Sequence, residues 1–506
     1  MSAPRLSLRT LAEHPPQRAE VRGPAVDPAR TGIGIVHLGV GAFHRAHQAV
    51  FTEDAAAATG EEGWGILGVT QRSPRVAEQL GPQDGLYSVL TKGRDHTSLR
   101  VVGSMRGAAF LQAEASLVLD TIAAPTTHVV SSTVSEKGYR RTSSGRPDLE
   151  DPDLATDLDV LRRELGARGT GSTGGWELPD AARTPIGALA RGLARRFSRH
   201  GAPLTVVCCD NMTDNGRVVA LLLDGVLSAV GSDAAPLRAW VATSVRFPVT
   251  MVDRITPATT DAHRAEATAL LGLEDHALVV AEPFSQWVIE DDFAGPRPAW
   301  ERAGARITAD VAPWEQAKLR MLNGAHSAIA YLGALRGHAM IDEAVLDPEV
   351  DAVARRLMDE EVTPTLTPPE GLDLAAYREE ILERFANPST GYTTLQVAGD
   401  GSQKLPIRIL ATAADRLEAG SVPVAAARTM AAWMVFVARG RDRTGRELRL
   451  DDPLADRLRA AAEGDDSGLA DRMLEVEQVV PATVREHDGF RAEVRTGVQD
   501  LLRLVG

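Results

Sequence analysis

Apolar positions in the first three hundred residues fall in short runs separated by amphipathic stretches. Gly34 to Gly39 (GIVHLG) reads as a buried strand that enters a glycine turn and then a helical stretch, HRAHQAVFTEDAAAA. Further strand-like runs follow: GWGILGVT from Gly63, HVVSSTV from His128, LTVVCCD from Leu204 and ALVVAEP from Ala277. Helical patterns separate several of them. Parallel strands need a crossover, usually a helix, so this alternation predicts a parallel sheet with helices on its faces.

From about Val311 the period changes. WEQAKLRMLNGAHSAIAYLGAL, DPEVDAVARRLMDEEV, LAAYREEILERF, VAAARTMAAWMVFVA and FRAEVRTGVQDLLRLV carry apolar residues at three- and four-residue spacing. The expectation is an α/β domain over residues 1–310 followed by a mostly α-helical domain over 311–506. Residues 141–185, with the run GTGSTGG, read as an insertion or long loop in the first domain. No internal repeat is found.

Composition narrows the class. A chain of 506 residues exceeds one compact core, and roughly two to four domains are expected. Apolar residues at 44% argue against disorder. Acids exceed bases by 14, which disfavours nucleic acid as the main partner, because phosphate binding needs a basic surface. The two cysteines, Cys208 and Cys209, are adjacent, so neither a disulfide nor a separated pair of zinc ligands is expected, and a reducing cytoplasm fits. The N-terminus has no apolar core of signal-peptide length, and no apolar run reaches the about 18 residues of a membrane span. A soluble cytoplasmic protein without membrane partners is expected.

The first chemistry-bearing motif is Gly39-Val40-Gly41-Ala42-Phe43-His44, after a strand and before a helix. Two glycines let the backbone turn and approach a pyrophosphate, and the helix offers unpaired N–H groups. His44 stands where a third glycine is usual. An acid that would bind the adenosine ribose is expected near the end of the second strand. Thr70-Gln71-Arg72-Ser73 contains none. Arg72 either faces a 2′-phosphate, favouring NADP over NAD, or is simply solvated.

Lys318, Asn323 and His326 share one expected helix. At about 100° per residue, His326 lies about 80° from Lys318 and Asn323 about 60° beyond, an arc of about 140°. Oxidising a secondary alcohol needs a base for the hydroxyl proton while hydride leaves the carbon. A partly buried lysine beside a positive nicotinamide ring has its pKa lowered toward neutrality, and the amide and imidazole suit a developing alkoxide. Read in isolation, a solvated lysine, a capping asparagine and a satisfied histidine are equally good readings. Asp210-Asn211 ends a strand, where open α/β sheets bind ligands. Asp253-Arg254 and Asp400-Gly401-Ser402-Gln403-Lys404, with Arg384 and Asn387 upstream, are polar clusters that singly suit loops or caps as well as sites.

Taken together, VHLGVGAFHRAHQAVF, STVSEKGY, CCDNMTDNG, FPVTMVDRITPAT, EPFSQWVIEDDFAGPRPAWE, APWEQAKLRMLNGAHSAIAYLG and RFANP…DGSQKLPIRIL resemble, in order, the signature segments of the mannitol dehydrogenase family, from about Gly34 to about Leu410. The resemblance implies a Rossmann-type domain followed by a helical domain, with the active site in the cleft between them and no metal. It implies Lys318 as the base, Asn323 and His326 as its partners on the substrate oxygen, and Asn211 in proton relay or oxyanion stabilisation. Asp253, Arg384 and Lys404 match substrate-binding positions, and Gly39, Gly41 and Phe43, with His44 beside them, fall in the cofactor loop. Family precedent leans to NAD, with NADP open.

The family includes mannitol and arabinitol dehydrogenases and reductases of fructuronate or tagaturonate. Uronates carry a carboxylate and need a cationic partner, for which Lys137 in SEKGY is the candidate; its plainer reading is a charge on a loop. A polyol needs only hydrogen-bonding groups, so a hexitol such as mannitol is the first expectation and a uronate the second. Two rival classes remain. One is a zinc enzyme, for which His44 and His47 are spaced on one helix face. The other is an inert nucleotide- or sugar-binding sensor. Members of the family can be monomeric, so a monomer or weak oligomer is expected.

Overall fold

The computed structural model describes residues 3–166 and 181–506, and the run GTGSTGG lies outside them. The chain divides into two compact units, Met1–Val311 and Ala312–Gly506.

The first unit is built on six parallel strands: β1 (Ile33–Leu38), β2 (Gly65–Thr70), β3 (Met105–Phe110), β4 (Val129–Ser132), β5 (Leu204–Cys208) and β6 (Val245–Arg246). Their order is β3-β2-β1-β4-β5-β6. This is the doubly wound Rossmann order, which reverses between β1 and β4 and opens a crevice at their carboxyl ends. Both faces are covered, which is why the strands read as apolar runs without alternation. Val36, Leu38, Val206 and Cys208 enter one core with the helices Ala115–Ile122 and Pro185–Arg199. Ile35, Ile66, Val129 and Val207 enter another on the opposite face.

Three expectations are corrected here. Much of 141–185 is the helix Pro152–Gly166, whose Leu154, Leu158 and Leu161 are buried at helical spacing. The stretch after the glycine turn is two helices, Ala42–Ala46 and Gln48–Thr59, broken at His47, whose φ is −122° and ψ −90°. The ALVVAEP strand, Val279–Ala281, leaves the main sheet and pairs with Tyr87–Lys92 in a second sheet with Thr97–Val102 and Val21–Arg22. A short third sheet carries Thr250–Asp253 beside Gln286–Glu290 and Arg306–Thr308.

The second unit is helical. Val424–Arg439 is buried on nearly every side, and Asn323–Leu335 and Asp488–Val505 pack against it. The expected helix across Lys318 and His326 is not one α-helix: Ala312–Ala317 and Asn323–Leu335 flank a π turn at Lys318–Leu322. Further π turns occupy Leu357–Val362 and Pro406–Leu410, and both pack on the first. Pro406 explains the last of these, because a residue without an N–H cannot continue the α ladder. Among the described residues no helix is long and apolar enough to cross a membrane.

Candidate active site

At the carboxyl end of β1 the chain turns at Gly39, with φ of +97°. A Cβ there would lie 2.2 Å from the Thr133 carbonyl oxygen, so only glycine fits. Gly41 caps the helix Ala42–Ala46 without a side-chain bond, leaving the first N–H groups of that helix to outside partners. The loop is pinned from behind. Gly39 N–H donates to the Val69 carbonyl at 2.8 Å. The Thr133 hydroxyl donates to the Gly39 carbonyl at 2.8 Å, and Arg45 Nε to the Gly41 carbonyl at 3.2 Å.

Behind Thr133 stands His37, fully buried, with Nε2 2.8 Å from Thr133 Oγ1 and Nδ1 2.8 Å from Ser131 Oγ. Because Thr133 gives its proton to Gly39, it accepts from His37, which fixes a neutral ring with hydrogen on Nε2 and Ser131 donating to Nδ1. Burial holds the His37 pKa down to about 3, so the neutral ring persists. His44 stacks on it with ring centroids 3.3 Å apart, also buried and held below the ordinary imidazole range by burial. Its side chain thus packs inward beneath the loop. Phe43 stacks on His47 at 4.9 Å. Arg72 is exposed just past β2.

Asp210 follows the end of β5. Its carboxylate accepts from Ser135 N at 2.7 Å, Val134 N at 3.1 Å and the Tyr139 hydroxyl at 2.5 Å, so it clamps the loop that bears Lys137. Ser135 and Arg140, at each end of that turn, hold positive φ (64° and 50°), a conformation the clamp maintains. Beside it, burial raises the Cys208 thiol to about 12, with the Asp210 charge adding to the rise. The Lys137 side chain lies outside the described residues. Asn211 is exposed one residue further on. Asn215 donates to the carbonyls of Asp210 and Thr250 and accepts from Thr250 N at 2.9 Å. That staple sets the strand ending in buried Asp253.

In the helical unit the π turn decides the arrangement. Asn323 N–H donates to the Lys318 carbonyl, an i→i+5 bond, so the turn holds one extra residue and brings Asn323 round above Lys318. The α-helical arc is therefore too wide for this pair. Lys318 is buried, and on Asn323–Leu335 only Asn323 and His326 are half-buried while every other side is covered. The His326 ring stacks on Phe385 at 4.5 Å, next to buried Arg384 at the end of Leu374–Phe385, a helix that also packs on the π turn. Asn387 caps the following turn, accepting from Ser389 N at 3.1 Å. Lys404 Nζ donates to the Gly399 carbonyl at 2.6 Å and lies 3.9 Å from Asp400. Its helix begins at Gly401, where a Cβ would fall 2.3 Å from the Tyr331 hydroxyl.

Residues 33–302 match the mannitol dehydrogenase Rossmann domain, and residues 310–502 match the mannitol dehydrogenase C-terminal domain. The chain belongs to the mannitol dehydrogenase family. It is 40% identical to D-mannonate oxidoreductase of Escherichia coli (strain K12) over 86% of each chain. Mannitol 2-dehydrogenase of Pseudomonas fluorescens, solved as a ternary complex with NAD and D-mannitol, is 34% identical, with a TM-score of 0.81 over 99% of this chain and 97% of that one. A D-sorbitol dehydrogenase solved in substrate-free form is 30% identical, with a TM-score of 0.88 over 99% of both.

Within this family fold, the residues expected from sequence sort by unit. Gly39, Gly41, Phe43, His44 and Arg72 cluster around the ends of β1 and β2, and Asn211 follows β5, two strands away. Lys318, Asn323, His326 and Arg384 converge around the first π turn, with the Lys404 segment continuing into a π turn packed on it. Sequence reasoning missed His37, Thr133, Tyr139 and Asn215. His37, Tyr139 and Asn215 are polar residues that fold into buried positions, and only a buried polar residue inside an apolar run, as in IVHLG, hints at such a role. Among the described residues no three His, Cys, Asp or Glu side chains converge as a metal site requires.

Proposed function

We propose that the protein is an NAD-dependent oxidoreductase that transfers hydride between a secondary alcohol of an acyclic sugar alcohol, of the mannitol-to-fructose type, and the nicotinamide, with Lys318 as base and no catalytic metal. The observation that carries this reading is the π turn whose i→i+5 bond joins the Asn323 N–H to the carbonyl of buried Lys318, with half-buried Asn323 and His326 on the helix that follows. A protein of this family with that turnover needs a proton acceptor and oxyanion donors on one small surface. The glycine loop fits a pyrophosphate: Gly39 leaves the backbone bare, and the helix behind Gly41 presents uncapped N–H groups. NAD, when bound, supplies the hydride acceptor. Lys318 takes the hydroxyl proton at Nζ, and the Asn323 amide and His326 ring hold the substrate oxygen as charge grows on it. Asp253, Arg384 and Lys404 are assigned to the remaining hydroxyls, and Asn211 to passing the proton onward. The family relative solved with NAD and D-mannitol supports the cofactor and substrate class.

A second reading, a mannonate-type oxidoreductase acting on sugar acids, is favoured by the 40% identity to D-mannonate oxidoreductase. A spectrophotometric screen of nicotinamide reduction decides. Mannitol, arabinitol, sorbitol and mannonate are paired with NAD and NADP, and fructose and fructuronate with the reduced cofactors. Turnover of mannitol and fructose upholds the first reading, and turnover confined to mannonate and fructuronate replaces it with the second. Cofactor binding without any turnover brings back the sensor.

A further inference from the structure

One cation beside the Lys318 turn lacks, among the described residues, the anionic partner that its burial calls for. Arg408 sits in the π turn Pro406–Leu410, half-buried, one turn beyond Lys404. Its backbone carbonyl is packed against Gly324, where an added Cβ would lie 3.0 Å away. Its guanidinium reaches the same helix: Nη1 donates to Ser327 Oγ at 3.3 Å, and Ser327 follows His326 directly. That long bond is the one hydrogen bond its side chain makes among the described residues. Nε is shut off from solvent and has no partner.

Two other half-buried arginines of this unit, Arg336 and Arg491, are treated differently. Arg336 meets Asp347 at 2.8 Å and Glu349 at 2.7 Å, and Arg491 meets Asp471 at 2.7 Å. No carboxylate lies within ion-pair distance of Arg408 among the described residues. Lys404 adds a second positive charge nearby, and its pKa is lowered by burial and then by Arg408 itself. Burial brings Arg408 down to about 10, still charged at neutral pH. Two neighbouring cations, one without a carboxylate, cost free energy in the folded chain unless an anion arrives to meet them.

We infer that Arg408, with Lys404 beside it, forms an anion-recognising subsite for the charged end of an open-chain polyhydroxy substrate. A guanidinium presents donors in a fork that matches a carboxylate or phosphate in two parallel bonds, and here, among the described residues, Nη2 makes no bond and Nη1 only the long one to Ser327. The subsite makes the charged terminus a specificity element of the site around Lys318, Asn323 and His326. It favours the second reading, the sugar acids, over the neutral hexitol, and it rests on the oxidoreductase reading of the site.

The test compares kcat/KM with NAD on D-mannonate, D-mannitol 1-phosphate and D-mannitol for the wild type, Arg408→Gln and Arg408→Lys, with the melting temperature of each. The wild type should prefer an anionic substrate, and whichever of mannonate and the phosphate is preferred identifies the anion. In Arg408→Gln the ratio of anionic to neutral kcat/KM should fall on the order of 10²-fold, the worth of hydrogen bonds to a charged group. Arg408→Lys should keep the charge, the fold and only part of that ratio. A ratio unmoved in Arg408→Gln, or an equal fall on all three substrates in both variants, overturns the subsite. Absence of wild-type turnover on all three would instead overturn the oxidoreductase reading.

Discussion

The glycine loop of the first unit and the lysine turn of the second are both built by departures from regular structure, but in opposite ways. The loop leaves a regular parallel sheet, and it is pinned by side chains from the ends of neighbouring strands and from the helix that follows it: Thr133 on Gly39, Arg45 on Gly41 and, at the adjoining turn, Asp210 on Ser135. The lysine turn has its irregularity in the helix itself. One extra residue per turn, repeated in three π segments of which two pack on the first, moves Asn323 over Lys318. A sheet holds its geometry through a ladder and leaves shaping to loop partners. A helix has no ladder partner, so it changes its own pitch.

Lys318→Ala should separate the two regions most sharply. Removing the base should lower kcat about 10²- to 10⁴-fold while fluorescence titration shows cofactor binding kept. Oxidation by the wild type should rise with pH through a single ionisation that the variant lacks. Turnover near the wild-type level in Lys318→Ala would break the assignment. The counterpart in the sheet unit is Gly39→Val. The side chain meets the Thr133 carbonyl in a backbone that strongly disfavours it, so a loss of about 3 kcal/mol or more is expected in denaturant unfolding, with cofactor binding gone. A soluble, stable variant that still binds would show that the turn is not needed in this form.

A smaller effect tests whether the pins matter. Thr133→Val strips the Gly39 carbonyl of its donor and leaves His37 Nε2–H without an acceptor. NADH affinity should weaken about fivefold, with Thr133→Ser restoring it. Equal affinity in all three proteins would leave the relay without a role in binding.

The smallest effect is on stability against pH. His37 is neutral in the fold with a pKa of about 3 against an ordinary 6.5, so between those values the unfolded chain binds the extra proton. Its contribution to stability is therefore full above pH 6.5 and falls as pH drops toward about 3. His44 shifts in the same direction. His37→Gln should flatten this slope in unfolding curves collected across that range, and an unchanged slope would show that His37 does not set it.

Much of the fold was legible in the chain. Apolar runs alternating with helical patterns gave β1, β2, β4 and β5, and the change of period near Val311 marked the helical half. The strand Met105–Phe110 went unread, because RGAA is too small and polar to stand out as an apolar run. The helix within 141–185 went unread because its flanks are rich in turn residues. Among the site residues, the glycine turn and the Lys–Asn–His set were visible as motifs.

Sequence alone thus determined the residue types and their order: a strand that must be followed by glycine, and a lysine five residues before an asparagine. It did so because backbone allowance and side-chain chemistry are local properties. Only the tertiary structure decided that the helix opens into a π turn at Lys318, that His37 reaches Gly39 through Thr133, and that Arg408 meets no carboxylate among the described residues. Helical pitch, hydrogen-bond partners and the neutralisation of charge depend on what packs alongside. No linear pattern carries that information.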